Sequence, residues 1–223
     1  MIYILPILAV LLSFAFVVLT KPKSKTKVKL LLAFSGSFLL ALTIFELFPS
    51  IYQGSNTKTV GVFIMLGILL QIFLEFFSKG AEHGHVHLDG ENTTFPWLLL
   101  ISLSIHSFLE GFPIEKYDTI IYGILVHKIP IALILSVFLI NSKIKLSQAF
   151  LFILLFSLMT PLGSYMASSL NFLSQYESQI TGLVVGVFLH ISTVILFESS
   201  EGHSFNLNKL IVISLGVVVA YFL

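Results

Sequence analysis

Eight stretches of mostly apolar residues, each about as long as a bilayer is thick, follow one another with only short connections between them. They fall at about 2–19, 30–49, 60–77, 95–113, 119–140, 147–168, 181–198 and 209–223. A helix that crosses the hydrocarbon core needs about 20 such residues. Lipid offers no partner to backbone N–H and C=O groups, so a crossing segment of this kind must be helical. The expected fold is therefore all-α: a polytopic membrane protein of eight transmembrane helices. Only 10% of the residues are charged and 57% are hydrophobic, against about 25% charged in a soluble domain. The connections are too short to fold separately, so residues 1–223 are expected to form a single transmembrane domain. The first stretch is read as a retained span, because its basic cluster follows the apolar run and no small-residue cleavage site is evident.

Charge placement orients the bundle. Lys21, Lys23, Lys25, Lys27 and Lys29 crowd the first connection, and Lys79, Lys143, Lys145 and Lys209 fall in alternate connections after it. Lys58 and Lys116 lie in the opposite set. Lysine is enriched on the cytoplasmic side, which puts both termini outside a cell membrane crossed many times. The lysine run is a topology anchor in this reading, and no nucleic-acid partner is expected. An internal echo refines the architecture. Gly36, Phe38, Leu39 and Thr43 of the second span recur 150 residues later as Gly186, Phe188, Leu189 and Thr193 of the seventh. The same offset carries span 1 onto span 6 and span 3 onto span 8, and the paired triplets enter the membrane in opposite directions. The chain thus reads as a 3+2+3 inverted-repeat bundle. Spans 4 and 5 form the unrepeated hairpin between the two triplets.

That hairpin holds the ionisable residues. A charged group at the bilayer centre costs about 2.5–3.5 kcal/mol on insertion scales, so a segment with several usually handles an ion, a proton or a substrate. His106 and Glu110 stand four residues apart, on one helix face, and can offer an imidazole and a carboxylate to one ion. Ser107 adds a weak oxygen ligand beside them. Spans 4 and 5 run antiparallel with their turn near Lys116, which sets His106 opposite His127 at one depth. Pro130 removes a backbone donor and is expected to bend span 5 beside this cluster. With no cysteine in the chain, any metal here is bound through nitrogen and oxygen.

These residues resemble the ZIP (Zrt/Irt-like) family of divalent-metal transporters, whose span 4 carries H-N-x-x-[DE]-G and whose span 5 carries H-E-x-P-x-E or a variant. This chain reads H-S-F-L-E-G at 106–111 and H-K-I-P-I-A at 127–132, with T-P-L-G at 160–163 in span 6. The resemblance implies that His106, Glu110 and His127 are metal ligands of a central transport site. It places Ser107 where the family's second-metal asparagine stands. Lys128 replaces an acidic second-metal ligand, and Ile131 and Ala132 stand where the family offers His, Gln or Glu. One metal rather than two is expected.

Other polar groups are accessory in this reading. Glu46 lies near the outer end of span 2, where it could attract cations, and His190 in span 7 is a candidate extra ligand or relay. Gln71, Glu75 and Glu198 fall near the inner ends of spans 3 and 7. The connection at about 79–94 places His83, His85 and His87 among Glu82, Asp89 and Glu91, either as a loose cytoplasmic metal tract or as a solvated loop. The function expected is movement of a divalent transition metal, Zn²⁺ before Fe²⁺, Mn²⁺ or Cd²⁺, towards the cytoplasm. No enzyme activity and no prosthetic group are expected. The partners are the metal ion and the lipid bilayer, with a homodimer left open. No phosphate-binding loop is present, which argues against ATP-driven pumping. The two rival readings are an intramembrane zinc hydrolase and a transport-inactive metal sensor of the same fold.

Overall fold

The computed structural model describes residues 3–22, 25–53, 56–78, 80, 95–198 and 207–223, all in helices or short connections. The tract holding His83, His85 and His87 lies outside the described residues. Each expected segment is helical: α1 (Ile4–Thr20), α2 (Lys25–Leu42), α3 (Thr57–Ser78), α4 (Trp97–Glu110), α5 (Ile120–Asn141), α6 (Leu146–Ser169), α7 (Glu177–Glu198) and α8 (Leu207–Tyr221). Among the described residues, five continuous helical runs are long and apolar enough to cross a membrane: Val28–Ile51, Thr57–Ser78, Ile120–Asn141, Leu146–Ser169 and Asn171–Phe197. Ile4–Thr20, Trp97–Glu110 and Leu207–Tyr221 are shorter apolar helices. The chain is thus a multi-pass membrane protein.

Local sequence explains where several helices start, widen and stop. The Asn56 side chain accepts from the N–H groups of Lys58 and Thr59 at 3.0 and 3.2 Å and so caps α3. Gln148 returns its side-chain oxygen to the Lys145 N–H at 3.0 Å and closes the start of α6. α2 does not stop at Leu42: it widens into a π-helical turn at Thr43–Leu47, with the Phe48 N–H reaching the Thr43 carbonyl, and ends in a last turn at Phe48–Ile51. α4 stops at Glu110, earlier than the expected 113, because Gly111 and Pro113 follow. Proline disfavours helical backbone in the residue before it. α5 runs through Pro130 as one helix, and α6 likewise through Pro161.

The helices associate in two groups. α1 packs on α5 and α6, and α4 on α6; α3 packs on α7, and α2 on α7 and α8. The seams between the groups run along α2–α5 and α3–α4. Apolar side chains give little net drive in lipid, so close backbone approach carries much of the association. It occurs at glycines. A Cβ on Gly67 would stand 2.0 Å from the Leu183 carbonyl oxygen, and one on Gly186 would stand 2.0 Å from that of Ile64, so α3 and α7 touch through backbone. A Cβ on Gly216 would stand 2.2 Å from the Ser37 hydroxyl and 2.9 Å from the Phe34 carbonyl oxygen of α2. Gly111 and Gly163 bring backbone together between the end of α4 and α6, where a Cβ would stand 2.2 Å from the Thr160 oxygen and 2.0 Å from the Phe108 oxygen respectively.

At one end of the bundle the α4–α5 connection is tied on three sides. The Tyr3 hydroxyl donates to Glu115, Lys116 donates to Glu177, and the Thr119 hydroxyl donates to Glu46. Ser50 and Tyr117 share a hydrogen bond of 2.7 Å. Two cavities of about 240 Å³ each flank the Lys116–Glu177 pair, and Tyr117 and Thr181 line both.

Candidate metal centre

The centre is built by the last turn of α4 and the middle of α5. α4 carries His106, Ser107 and Glu110 on its buried face, and α5 carries His127 and Lys128. None of the five is more than 1% exposed. His106 Nε2 lies 2.8 Å from Glu110 Oε1, as the four-residue spacing requires. His127 Nε2 approaches the same oxygen at 4.0 Å. The imidazole rings stand edge to face, with centroids 6.3 Å apart and planes at 80°. One ligand atom from each of His106, Glu110 and His127 can be chosen so that all lie within 4.8 Å of one another. Two imidazole nitrogens and a carboxylate oxygen at that separation are a donor set that suits a borderline transition-metal ion such as Zn²⁺.

Lys128 completes the charge pattern. Its Nζ stands 2.8 Å from Glu110 Oε2 and donates to Ser107 Oγ at 2.7 Å, with the Phe156 ring 4.9 Å away. A buried ammonium is tolerable only when paired and hydrogen-bonded, and this one has both a carboxylate and a hydroxyl. Glu110 is therefore shared: one oxygen faces the imidazoles and the other faces Lys128. Ser107 is linked onward to α6, since Ser107 Oγ and Thr160 Oγ1 are 2.9 Å apart and the Thr160 hydroxyl donates to the Ser107 carbonyl at 2.8 Å.

The accessory residues lie elsewhere. His190 Nε2 meets Glu75 Oε2 at 2.7 Å, joining α7 to α3, and both side chains are partly buried. Neither belongs to the His106–Glu110–His127 group. Glu46 sits in the π-helical turn of α2 and takes the Thr119 hydroxyl, at the end of the bundle that holds the α4–α5 connection. Gln71 is fully buried one turn before Glu75. Reading the sequence missed the part played by Thr160 and the pairing of Lys116 with Glu177. T-P-L-G was visible as a motif, but nothing in its spacing says which helix its hydroxyl faces.

Fold and centre together define a multi-pass membrane protein with a buried group of metal-ligand type. The sequence profile of the ZIP zinc transporter family matches residues 78–223, which include all of α4 to α8. The chain belongs to that family. Protein zntD of Dictyostelium discoideum is 30% identical over 151 residues, covering 57% of this chain and 22% of that protein. Zinc transporter ZIP1 of Danio rerio is 32% identical over 127 residues, covering 51% of this chain and 42% of its own length. Zinc transporter ZIP1 of Takifugu rubripes is 31% identical over 123 residues, with 50% and 41% covered. The matched part is thus less than half of each relative's own length.

Proposed function

We propose that this chain carries a divalent transition-metal ion, Zn²⁺ foremost, across a cell membrane towards the cytoplasm, and that the ion binds mid-membrane between His106, Glu110 and His127. The observation that carries this reading is the buried convergence of those three ligand atoms within 4.8 Å in a chain of the ZIP zinc transporter family. Lys128 supplies a fixed cation on the far oxygen of Glu110, 2.8 Å away, which favours one metal over two. Ser107 lies next to His106 in the same turn and is the nearest hydroxyl to this group by sequence.

In this reading all eight helices span, in the 3+2+3 arrangement. Two pairs support the exchange of spans 1 with 6, 2 with 7, 3 with 8 and 4 with 5: it turns α3–α7 into α8–α2 and α1–α5 into α6–α4, all packed pairs, while the α2–α5 and α3–α4 seams have no counterpart of equal extent. Thr43 and Thr193, 150 residues apart, each donate to the carbonyl four residues earlier, Leu39 and Leu189, at 2.7 Å. Both termini then lie outside. The tract of His83, His85 and His87 modulates uptake from the cytoplasm without forming the path.

The test is uptake into proteoliposomes with Zn²⁺, Fe²⁺, Mn²⁺ and Cd²⁺ compared side by side. His106→Ala, Glu110→Ala and His127→Ala should each abolish or strongly reduce uptake while the protein stays in the membrane. Replacing all three loop histidines with serine should leave uptake measurable. Wild-type rates in two of the three alanine variants would exclude the site.

A further inference from the structure

The hydroxyls beside Lys128 form a chain with one direction only. A lysine ammonium has no lone pair to accept with, so in the 2.7 Å contact Lys128 donates and Ser107 Oγ accepts. Thr160 already spends its single proton on the Ser107 carbonyl at 2.8 Å. The 2.9 Å contact between the two hydroxyls must then be Ser107 donating to Thr160. The sequence runs from Lys128 to Ser107 Oγ, to Thr160 Oγ1, to the Ser107 carbonyl.

That carbonyl invites the last bond. A continuing helix would satisfy it with the Gly111 N–H, but the Gly111 N–H turns instead to the Phe108 carbonyl at 3.1 Å, and the Phe112 N–H to that of Leu109 at 3.2 Å. The end of α4 tightens, and α6 reaches across through the backbone contact of Gly111 with Gly163. Thr160 replaces the missing donor.

We infer that Thr160 is a positioning residue for the metal centre: it clasps Ser107 so that Ser107 Oγ holds the Lys128 ammonium against Glu110 and does not itself ligate the ion. This rests on the central-site reading above for its meaning in transport, while the clasp is open to a test without metal.

The test is a double-mutant cycle on purified full-length protein, read as Tm without added metal and as Zn²⁺ affinity with zinc alone. Thr160→Val keeps the shape and loses the hydroxyl; Ser107→Ala breaks the middle of the chain. The expected result is non-additivity, in which the double variant loses little more Tm than the worse single one. Thr160→Val should also weaken Zn²⁺ binding about tenfold, the order of one charge-linked buried hydrogen bond, and Thr160→Ser should restore both readouts. Additive losses, or a Thr160→Ser protein as impaired as Thr160→Val, would overturn the clasp. A chain that shows the coupling but binds no zinc would keep the clasp and remove the transport reading. Zinc binding with purely additive losses would remove the clasp alone.

Discussion

Lys128 and Glu110 face each other at 2.8 Å across the α4–α5 hairpin, each about 1% exposed. Removing one partner of such a pair strands the other charge in a low-dielectric interior, at a cost of about 3–5 kcal/mol. Lys128→Met is therefore expected to lower the unfolding midpoint sharply in metal-free protein. Zinc should restore part of the loss, because a ligand that binds only the folded state stabilises it and here also supplies the missing positive charge. Thermal melts of wild type and variant, with and without Zn²⁺, check this; an unchanged midpoint would mean that the pair contributes nothing net.

Lys128→Asp should act in the other direction on metal count. It exchanges a cation for a second carboxylate beside Glu110, and carboxylate oxygen is a competent ligand for a dication. On a His83→Ser, His85→Ser, His87→Ser background, bound zinc per chain should rise from about one to about two. Metal analysis of the purified proteins measures it. Two central metals in the lysine form would sink the one-metal reading.

His190 and Glu75, 2.7 Å apart, tie α7 to α3 beyond the Gly67–Gly186 contact. His190→Phe keeps a flat aromatic ring and loses the bond, so a stability loss of about 1 kcal/mol is expected. Zinc affinity at the central site should stay within about twofold, since this pair lies outside the ligand group. Calorimetric titration decides it, and a large loss of affinity would move His190 into the ion's path.

Lys116 and Glu177 pair in the open, with side chains 56% and 44% exposed, so the pair is worth roughly 0–1 kcal/mol. The hydrogen bond that Lys116 donates to Glu177 is the main cause that raises the Lys116 pKa above its ordinary 10.5. A raised lysine contributes stability fully below its unfolded value and loses it only as pH climbs through the higher folded one. The stability difference between wild type and Lys116→Gln should therefore be small and flat from about pH 6 to pH 9 on the lysine's account. Melting curves across that range test it; a difference that faded before pH 9 would show the ammonium titrating early.

Much of the centre could be read before any coordinates, because its logic is local. The four-residue spacing of His106 and Glu110 brings them to one face, and an antiparallel hairpin turning near Lys116 brings His127 to their depth. The eight helices were legible for the same kind of reason, since apolar length alone demands them. The clasp at Thr160 was not legible. It depends on how closely α6 approaches α4, which two glycines 52 positions apart in the chain decide together. The π-helical turn at Thr43–Leu47 and the ties of Tyr3, Ser50 and Glu46 to the α4–α5 connection escaped as well. Each of these ties joins distant segments through side chains whose directions no periodicity encodes, and the π-helical turn is a one-residue widening of the backbone that leaves the apolar pattern unmarked.

Where Gly111 and Gly163 meet, α4 and α6 touch with no side chain between them to serve as a bearing. Sliding one helix along the other by a single residue would drive a Cβ into backbone that already stands 2.0–2.2 Å from where a Cβ would sit. The two helices are locked as cogs are, not greased as oiled surfaces are. On the transport reading proposed above, a movement of His106 and Glu110 would carry α6 along with α4. The α2–α5 seam is softer, because there Gly123 faces the flexible ends of Leu39 and Leu42, and it is where such a movement would meet least resistance.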